Sequence, residues 1–216
     1  TITSQPSNQT VCESSSVTFT VAAIGTGLTY QWRRGLVNII NGGNISGATT
    51  ASLTINPVNT TDAALNYNVV VMGGCLPNEI SNNVSLIVNT SPIITSQPSN
   101  QTVCEGSSVT FTVAATGTAL TYQWRKGLVN LINGASISGA TTASLTINPV
   151  ALIDAAVNYN VVVSGTCLPN QTSNNTSLII GTSPTITSQS SNITACAGST
   201  ITFTVAAIGT GLTYQW

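Results

Sequence analysis

Five cysteines, Cys12, Cys75, Cys104, Cys167 and Cys196, are the most reactive side chains in the sequence. A thiol can bind metal, attack as a nucleophile or close a disulfide. Each cysteine stands singly, with no C-x-x-C pair, and the chain has no histidine. Metal coordination and a Cys–His nucleophile therefore lack the companions they need. Disulfide formation remains, and it implies an oxidising, extracellular setting. The carboxylates Glu13, Asp62, Glu105 and Asp154 are isolated on turns. They form neither the close pair of a glycoside hydrolase nor the oxygen cluster of a calcium loop. Without histidine, a Ser–His–Asp triad cannot be assembled either. The cations Arg33, Arg34, Arg125 and Lys126 could contact a ligand by stacking or by holding a carboxylate. Otherwise they are solvated strand residues that blunt a sheet edge. The residues imply no cofactor, no metal and no enzymatic activity.

The composition that must position these groups is unusual. Only 4 % of the 216 residues are charged, with a net charge of −1. Soluble domains ordinarily carry about 25 %. Polarity comes instead from 35 Thr, 25 Ser and 22 Asn. Four cations cannot build the basic face that nucleic-acid binding requires. No stretch approaches the roughly 20 apolar residues of a membrane span. Asn-x-Ser/Thr triplets such as Asn8-Gln9-Thr10 and Asn192-Ile193-Thr194 recur, as chance alone produces in so hydroxyl-rich a chain.

The sequence repeats with a period of 92, which separates Cys12 from Cys104 and Cys196, and Trp32 from Trp124 and Trp216. Residues 1–92 and 93–184 are identical at 73 positions. A period this long is that of a small domain, not of a solenoid repeat. The reading is two whole repeats, 1–92 and 93–184, followed by the first third of another at 185–216. The joints are Asn89-Thr90-Ser91-Pro92 and Gly181-Thr182-Ser183-Pro184, short and ending in proline, which favours an extended, stiff connection.

Within a repeat the apolar residues alternate. Val17-Thr18-Phe19-Thr20-Val21 reads as a half-buried strand, as do Leu28 to Trp32, Leu53 to Ile55, Tyr67 to Val71 and Val84 to Val88. Gly25-Thr26-Gly27, Asn41-Gly42, Asn56-Pro57 and Gly73-Gly74 mark turns between them, with Asn41-Gly42 and Asn133-Gly134 as tight hairpin turns. Nothing repeats at helical spacing. Seven or eight short strands per repeat predict an all-β chain of tandem β-sandwiches, arranged as beads on a string.

The segments GSSVTFTVAATG, LTYQWRKG, ISGATTASLTI and DAAVNYNVVVSGTC resemble strands B, C, D–E and F of an immunoglobulin-like domain. More narrowly, they are similar to the tandem immunoglobulin-like repeats of large secreted surface proteins and adhesins of Bacteroidetes-type bacteria. The resemblance implies that Trp32 and Trp124 are buried core residues of strand C. It also implies that Tyr67 and Tyr159 are corner tyrosines of strand F, bonded to backbone upstream. Asp62 lies five residues before Tyr67, one more than usual, so a bulged E–F corner is expected.

The family's B–F disulfide positions hold Val21 and Val69, and Val113 and Val161. The resemblance puts Cys12 at the end where the chain leaves the domain and Cys75 at the opposite end. About nine strand residues at roughly 3.3 Å each separate them by some 30 Å, and a disulfide needs Cα atoms within about 7 Å. The preferred expectation is therefore an interdomain pair, Cys12 with Cys167. Cys75, Cys104 and Cys196 then pair outside this segment or between molecules. Pairs within a domain (Cys12–Cys75 and Cys104–Cys167) and free thiols are the alternatives.

Two functions follow as expectations. One is a structural stalk or filament at the cell surface, the shaft of an adhesin, whose partners are neighbouring repeats and like chains. Low charge removes the repulsion that opposes such homotypic association. The other is a ligand-binding module that recognises glycan or protein through its B–C and F–G loops. A host-surface ligand could also be bound elsewhere in the protein, and a third, weaker reading makes the repeats accessories to an enzyme.

Overall fold

The computed structural model describes all residues, Thr1–Trp216. The chain is all-β apart from one short 3-10 turn in each of the first two repeats. In the first repeat the strands are β1 (Ile2–Ser4), β2 (Gln9–Cys12), β3 (Val17–Thr20), β4 (Ala22–Ala23), β5 (Thr29–Arg34), β6 (Val37–Asn38), β7 (Ile45–Ser46), β8 (Ser52–Ile55), β9 (Ala64–Met72), β10 (Glu79–Ile80) and β11 (Val84–Asn89). One sheet runs β2-β11-β9-β5-β6, with β10 also on β9; the facing sheet is β3-β8-β7. Strand β2 runs parallel to β11, and every other pairing in these sheets is antiparallel. This is the β-sandwich that the alternation implies, in the immunoglobulin-like form that the resemblance implies.

The alternation decides which face each residue meets. Val17 and Phe19 point inward from β3 while Thr18 and Thr20 are exposed. Thr18 faces Thr54 across the sheet, with their hydroxyls 3.0 Å apart. Phe19, Trp32, Leu53, Ile55 and Val69 are completely buried. Phe19 stacks on Tyr67 at 5.1 Å and tilts against Trp32 at 6.1 Å. Contacts of this kind add about 0.5–1.5 kcal/mol per pair beyond area burial. The second repeat repeats the arrangement with Phe111, Tyr159 and Trp124 at 5.2 and 6.2 Å. The two core tryptophan indoles each donate to a backbone carbonyl, Trp32 to Thr50 and Trp124 to Thr142, both at 2.9 Å.

At the E–F corner a 3-10 turn occupies Thr60–Asp62. The Tyr67 hydroxyl donates to the Asp62 carbonyl at 2.7 Å, and Tyr159 does the same to Asp154. The extra residue is absorbed because the Asp62 carboxylate folds back to accept from the Asn59 N–H and the Asn44 amide, both at 2.8 Å. Burial pushes the Tyr159 phenol up to about 12, and the nearby Asp154 carboxylate adds to the shift. Tyr67 is also raised by burial, opposed by Arg34 and assisted by Asp62.

The structure corrects the idea that the cations blunt a sheet edge. Strand β5 lies between β9 and β6, so the edge belongs to β6. Arg34 instead donates to the Thr61 and Ala63 carbonyls at 2.7 and 3.0 Å and lies over the Tyr67 ring. Lys126 makes the matching contact with the Ile153 carbonyl at 2.7 Å.

By internal contacts the chain divides into two compact units. The first is Thr1–Ile93 together with Thr116–Leu120 and Ser164–Asn170; the second is Ile94–Ala115, Thr121–Val163 and Gln171–Trp216. Two loops of the second repeat thus belong to the first unit. In the third segment only Thr185–Gln189 and Val205–Ile208 are strands, paired antiparallel. The expected strand C at 212–216 is not formed, and Trp216 is 75 % exposed. Strand C pairs with strand F in the first repeat, and no equivalent of that partner lies within this chain.

Candidate functional site

The residues with chemistry left to do meet inside the first compact unit. Cys12 ends β2, where its register partner is Asn89 at the end of β11. The Ser15 hydroxyl donates to the Cys12 carbonyl, and the Glu13 N–H donates to the Asn89 carbonyl at 2.8 Å. These contacts fix Cys12 beside the segment Thr90-Ser91-Pro92. Cys167 follows the strand Ala156–Ser164, in the loop equivalent to the one that carries Cys75. Cys12 and Cys167 are joined by a disulfide with Cα atoms 5.8 Å apart, across 155 residues of sequence. Cys167 is 1 % exposed. Cys75, Cys104 and Cys196 are free and exposed.

A set of hydrogen bonds surrounds the disulfide. The Thr118 N–H donates to the Thr90 carbonyl at 3.1 Å, and the Thr90 N–H returns to the Thr118 hydroxyl at 3.0 Å. The Thr118 carbonyl accepts from the Thr166 N–H at 3.0 Å, and the Ser91 hydroxyl donates to the Leu168 carbonyl at 2.7 Å. Pro92 lies against two glycines. A Cβ on Gly117 would stand 3.0 Å from the Pro92 Cα, and one on Gly165 would stand 2.8 Å from the Thr118 carbonyl oxygen and 3.1 Å from the Pro92 ring. Glycine is needed here because backbone approaches backbone.

The second unit contains the same clasp without its disulfide. The Thr182 N–H donates to the Thr210 hydroxyl at 3.0 Å, and the Thr210 N–H donates to the Thr182 carbonyl at 3.1 Å. The Glu105 N–H bonds the Gly181 carbonyl at 2.9 Å, which places Cys104 as Cys12 is placed. A third version of the surface, at the start of the first repeat, is open. Thr26, Leu28, Gly73, Gly74, Cys75 and Leu76 line a hollow of about 510 Å³.

Sequence reasoning singled out the cysteines, tryptophans and tyrosines and named Thr90 as part of a joint, but missed Thr118, Gly117 and Gly165. Thr and Gly are too common here for either residue type to stand out. The recurrence of Thr-Ser-Pro after β11 and after the strand Thr176–Gly181 is the signal that points to the clasp. Trp32, Trp124, Tyr67 and Tyr159 are all buried. Val21, Val69, Val113 and Val161 occupy buried positions in place of a B–F disulfide.

Comparison with known proteins agrees with this architecture. Residues 91–164 match the immunoglobulin domain family. Residues 2–90 match a family described as a domain of unknown function (DUF8696). No curated protein sequence matches the chain. Among solved structures it is similar to an I-band fragment of titin, at 17 % identity and TM-score 0.69, over 85 % of this chain and 66 % of that one. It is also similar to extracellular domains 3–5 of Drosophila OTK, at 19 % identity and TM-score 0.58, over 83 % of this chain and 61 % of the other. The IG1+IG2 fragment of DIP-gamma matches at 17 % identity and TM-score 0.59, over 83 % and 96 %. The chain thus spans just under two thirds of the titin and OTK fragments. At these identities the likeness is one of fold: tandem immunoglobulin-like domains.

Proposed function

We propose that this chain is a segment of the shaft of an extracellular bacterial surface protein serving adhesion, with the repeats 1–92, 93–184 and 185–216 linked in series and no enzymatic role. The observation that carries the reading is the covalent joint. A disulfide from Cys12 to Cys167, flanked by the Thr90–Thr118 and Ser91–Leu168 hydrogen bonds, ties the first repeat to a loop of the second. A protein that only presented independent ligand-binding domains would have no need of that tie. Cys104 is set to take the matching loop of a following repeat, Cys75 to take a preceding one, and Cys196 to serve the joint after it. The scarcity of charge, 4 % of residues, favours association of like shafts side by side.

Stretching single molecules between handles at the termini tests this reading. The disulfide shields its 155-residue loop from tension. Oxidised molecules should therefore extend about 500 Å less than reduced ones when fully unfolded. Equal extension in the two states overturns the reading. Specific binding of the chain to a host glycan or protein, with no difference in extension, would favour the ligand-binding alternative.

A further inference from the structure

One charged group has no task in the shaft. Arg33 stands on β5 beside Asn68 of β9, its register partner, on the face opposite Trp32. Its Nε donates to the Asn68 Oδ1 at 3.0 Å. Asn68 is 4 % exposed, and its amide donates to the Gly35 carbonyl at 3.0 Å, the Asn66 carbonyl at 3.3 Å and the Asn83 Oδ1 at 3.0 Å. Those bonds settle which way the amide faces, so Asn68 aims the guanidinium.

The two terminal nitrogens of Arg33 have no protein partner. The chain's one ion pair joins the Thr1 amino group to Glu79, at 3.6 Å. Arg34 next door is held in place by one terminal nitrogen, which donates to the Thr61 and Ala63 carbonyls, and its guanidinium lies over the Tyr67 ring. Arg33 opens instead on a hollow of about 440 Å³, lined also by Leu36, Asn66, Ile80, Ser81 and Asn83. The Asn66 amide makes no hydrogen bond, and the Asn83 amide nitrogen donates none. The second repeat keeps the polar part of this constellation, with Thr172 in the place of Ile80. Arg125 Nε donates to the Asn160 Oδ1 at 3.1 Å, and the Asn160 amide is held by the carbonyls of Gly127 and Asn158 and by Asn175.

We infer that Arg33 and Arg125 each anchor a binding site for an acidic sugar of the uronic acid class, with its carboxylate on the arginine fork. A guanidinium offers two parallel N–H groups that match the two oxygens of a carboxylate, and charge-assisted pairs of this geometry are the strong ones. A lysine could not reproduce the fork. The free amide of Asn66 can both donate and accept, and the Asn83 amide nitrogen can donate, as ring hydroxyls require. In the first repeat Leu36 and Ile80 supply an apolar wall for the C–H face of the sugar; in the second, Leu128 and the methyl-bearing Thr172 stand at those positions. This goes beyond the shaft reading and does not depend on the disulfide.

The test uses the intact chain in solution NMR, titrated in parallel with galacturonate, galactose, acetate and a short acidic peptide. Galacturonate should shift the Nε–H resonances of Arg33 and Arg125 and the Asn66 and Asn83 amides, while Arg34 stays still. Galactose should have no effect, and acetate and the peptide should bind at least severalfold more weakly. Replacing both arginines (Arg33→Lys with Arg125→Lys) should weaken galacturonate binding about tenfold or more. Asn66→Ala with Asn158→Ala alters an exposed and a half-buried side chain whose amides make no hydrogen bonds, so folding is spared, and a severalfold loss is expected. Unchanged affinity in either pair of variants overturns the site. Equal response to galactose, or equal affinity for acetate or peptide, overturns the sugar-acid assignment.

Discussion

The loops that carry Cys75 and Cys167 share the sequence Cys-Leu-Pro-Asn and follow equivalent strands, yet they live in different surroundings. Cys167 is buried and covalently joined to Cys12, while Cys75 is exposed and free. Nothing inside either loop accounts for this. Around Cys167 stand Thr90, Ser91 and Pro92; around Cys75 the same space is an open hollow. The difference teaches that the loop is a receptor for another repeat's exit segment, and that burial of its cysteine is supplied from outside the loop.

Breaking the covalent tie should have the largest effect on this contrast. Cys12→Ser leaves Cys167 without its partner and should cost about 2–5 kcal/mol of stability in chemical denaturation, as expected for a crosslink closing a long loop. Thiol titration should then rise from three reactive groups, the free cysteines, towards four. A loss below about 1 kcal/mol would mean that the crosslink constrains little.

The glycines give a sharper version. Gly165→Ala places a methyl 2.8 Å from the Thr118 carbonyl oxygen, whereas Gly73→Ala in the open loop meets nothing closer than 3.4 Å. The first should cost about 1–3 kcal/mol and the second about 0.5 kcal/mol or less. Equal losses in thermal melts would show that the clasp is looser than its distances imply.

Thr118→Val removes the hydroxyl that accepts from the Thr90 N–H and should cost about 1 kcal/mol. The equivalent Thr26→Val, where no segment docks, should be near neutral. Both can be read from the same melts.

The smallest effect concerns the two corner tyrosines. A phenol whose folded pKa is raised stabilises the fold fully below its unfolded value near 10. That stability is lost as pH climbs from there through the folded value, about 12 for Tyr159. The contribution of these two phenols should be constant below pH 10 and stability should fall above it. Tyr159→Phe should flatten the alkaline decline more than Tyr67→Phe, because Arg34 opposes the rise at Tyr67. An equal alkaline slope in the wild-type chain and the Tyr159→Phe variant would remove Tyr159 from the account.

Much of the sandwich was legible from the residues because its causes are local. Alternation at Val17–Thr20 and Ser52–Ile55 sorts side chains between core and solvent, and the 92-residue period marks the repeats. The E–F corner was legible only as an irregularity. How Asp62 absorbs the extra residue, by folding its carboxylate back onto the Asn59 N–H, is a side-chain contact that alternation does not encode. The pairing role of β5 was misread because whether a strand is an edge depends on what lies beside it. For Arg33 the sequence offered both a ligand contact and a solvated strand position; its hydrogen bond to Asn68, distant in sequence, is what aims it.

By itself, then, the sequence determined the strands, the inward and outward faces and the repeated plan, since these follow from side-chain type at a period of two. It left Cys12 with more than one candidate partner and said nothing of the clasp. Only the tertiary structure decided that Cys12 lies 5.8 Å from Cys167, Cα to Cα, and that Gly165 must lack a side chain. These outcomes depend on segments far apart in the chain being brought together by packing. No local pattern encodes the distance between them.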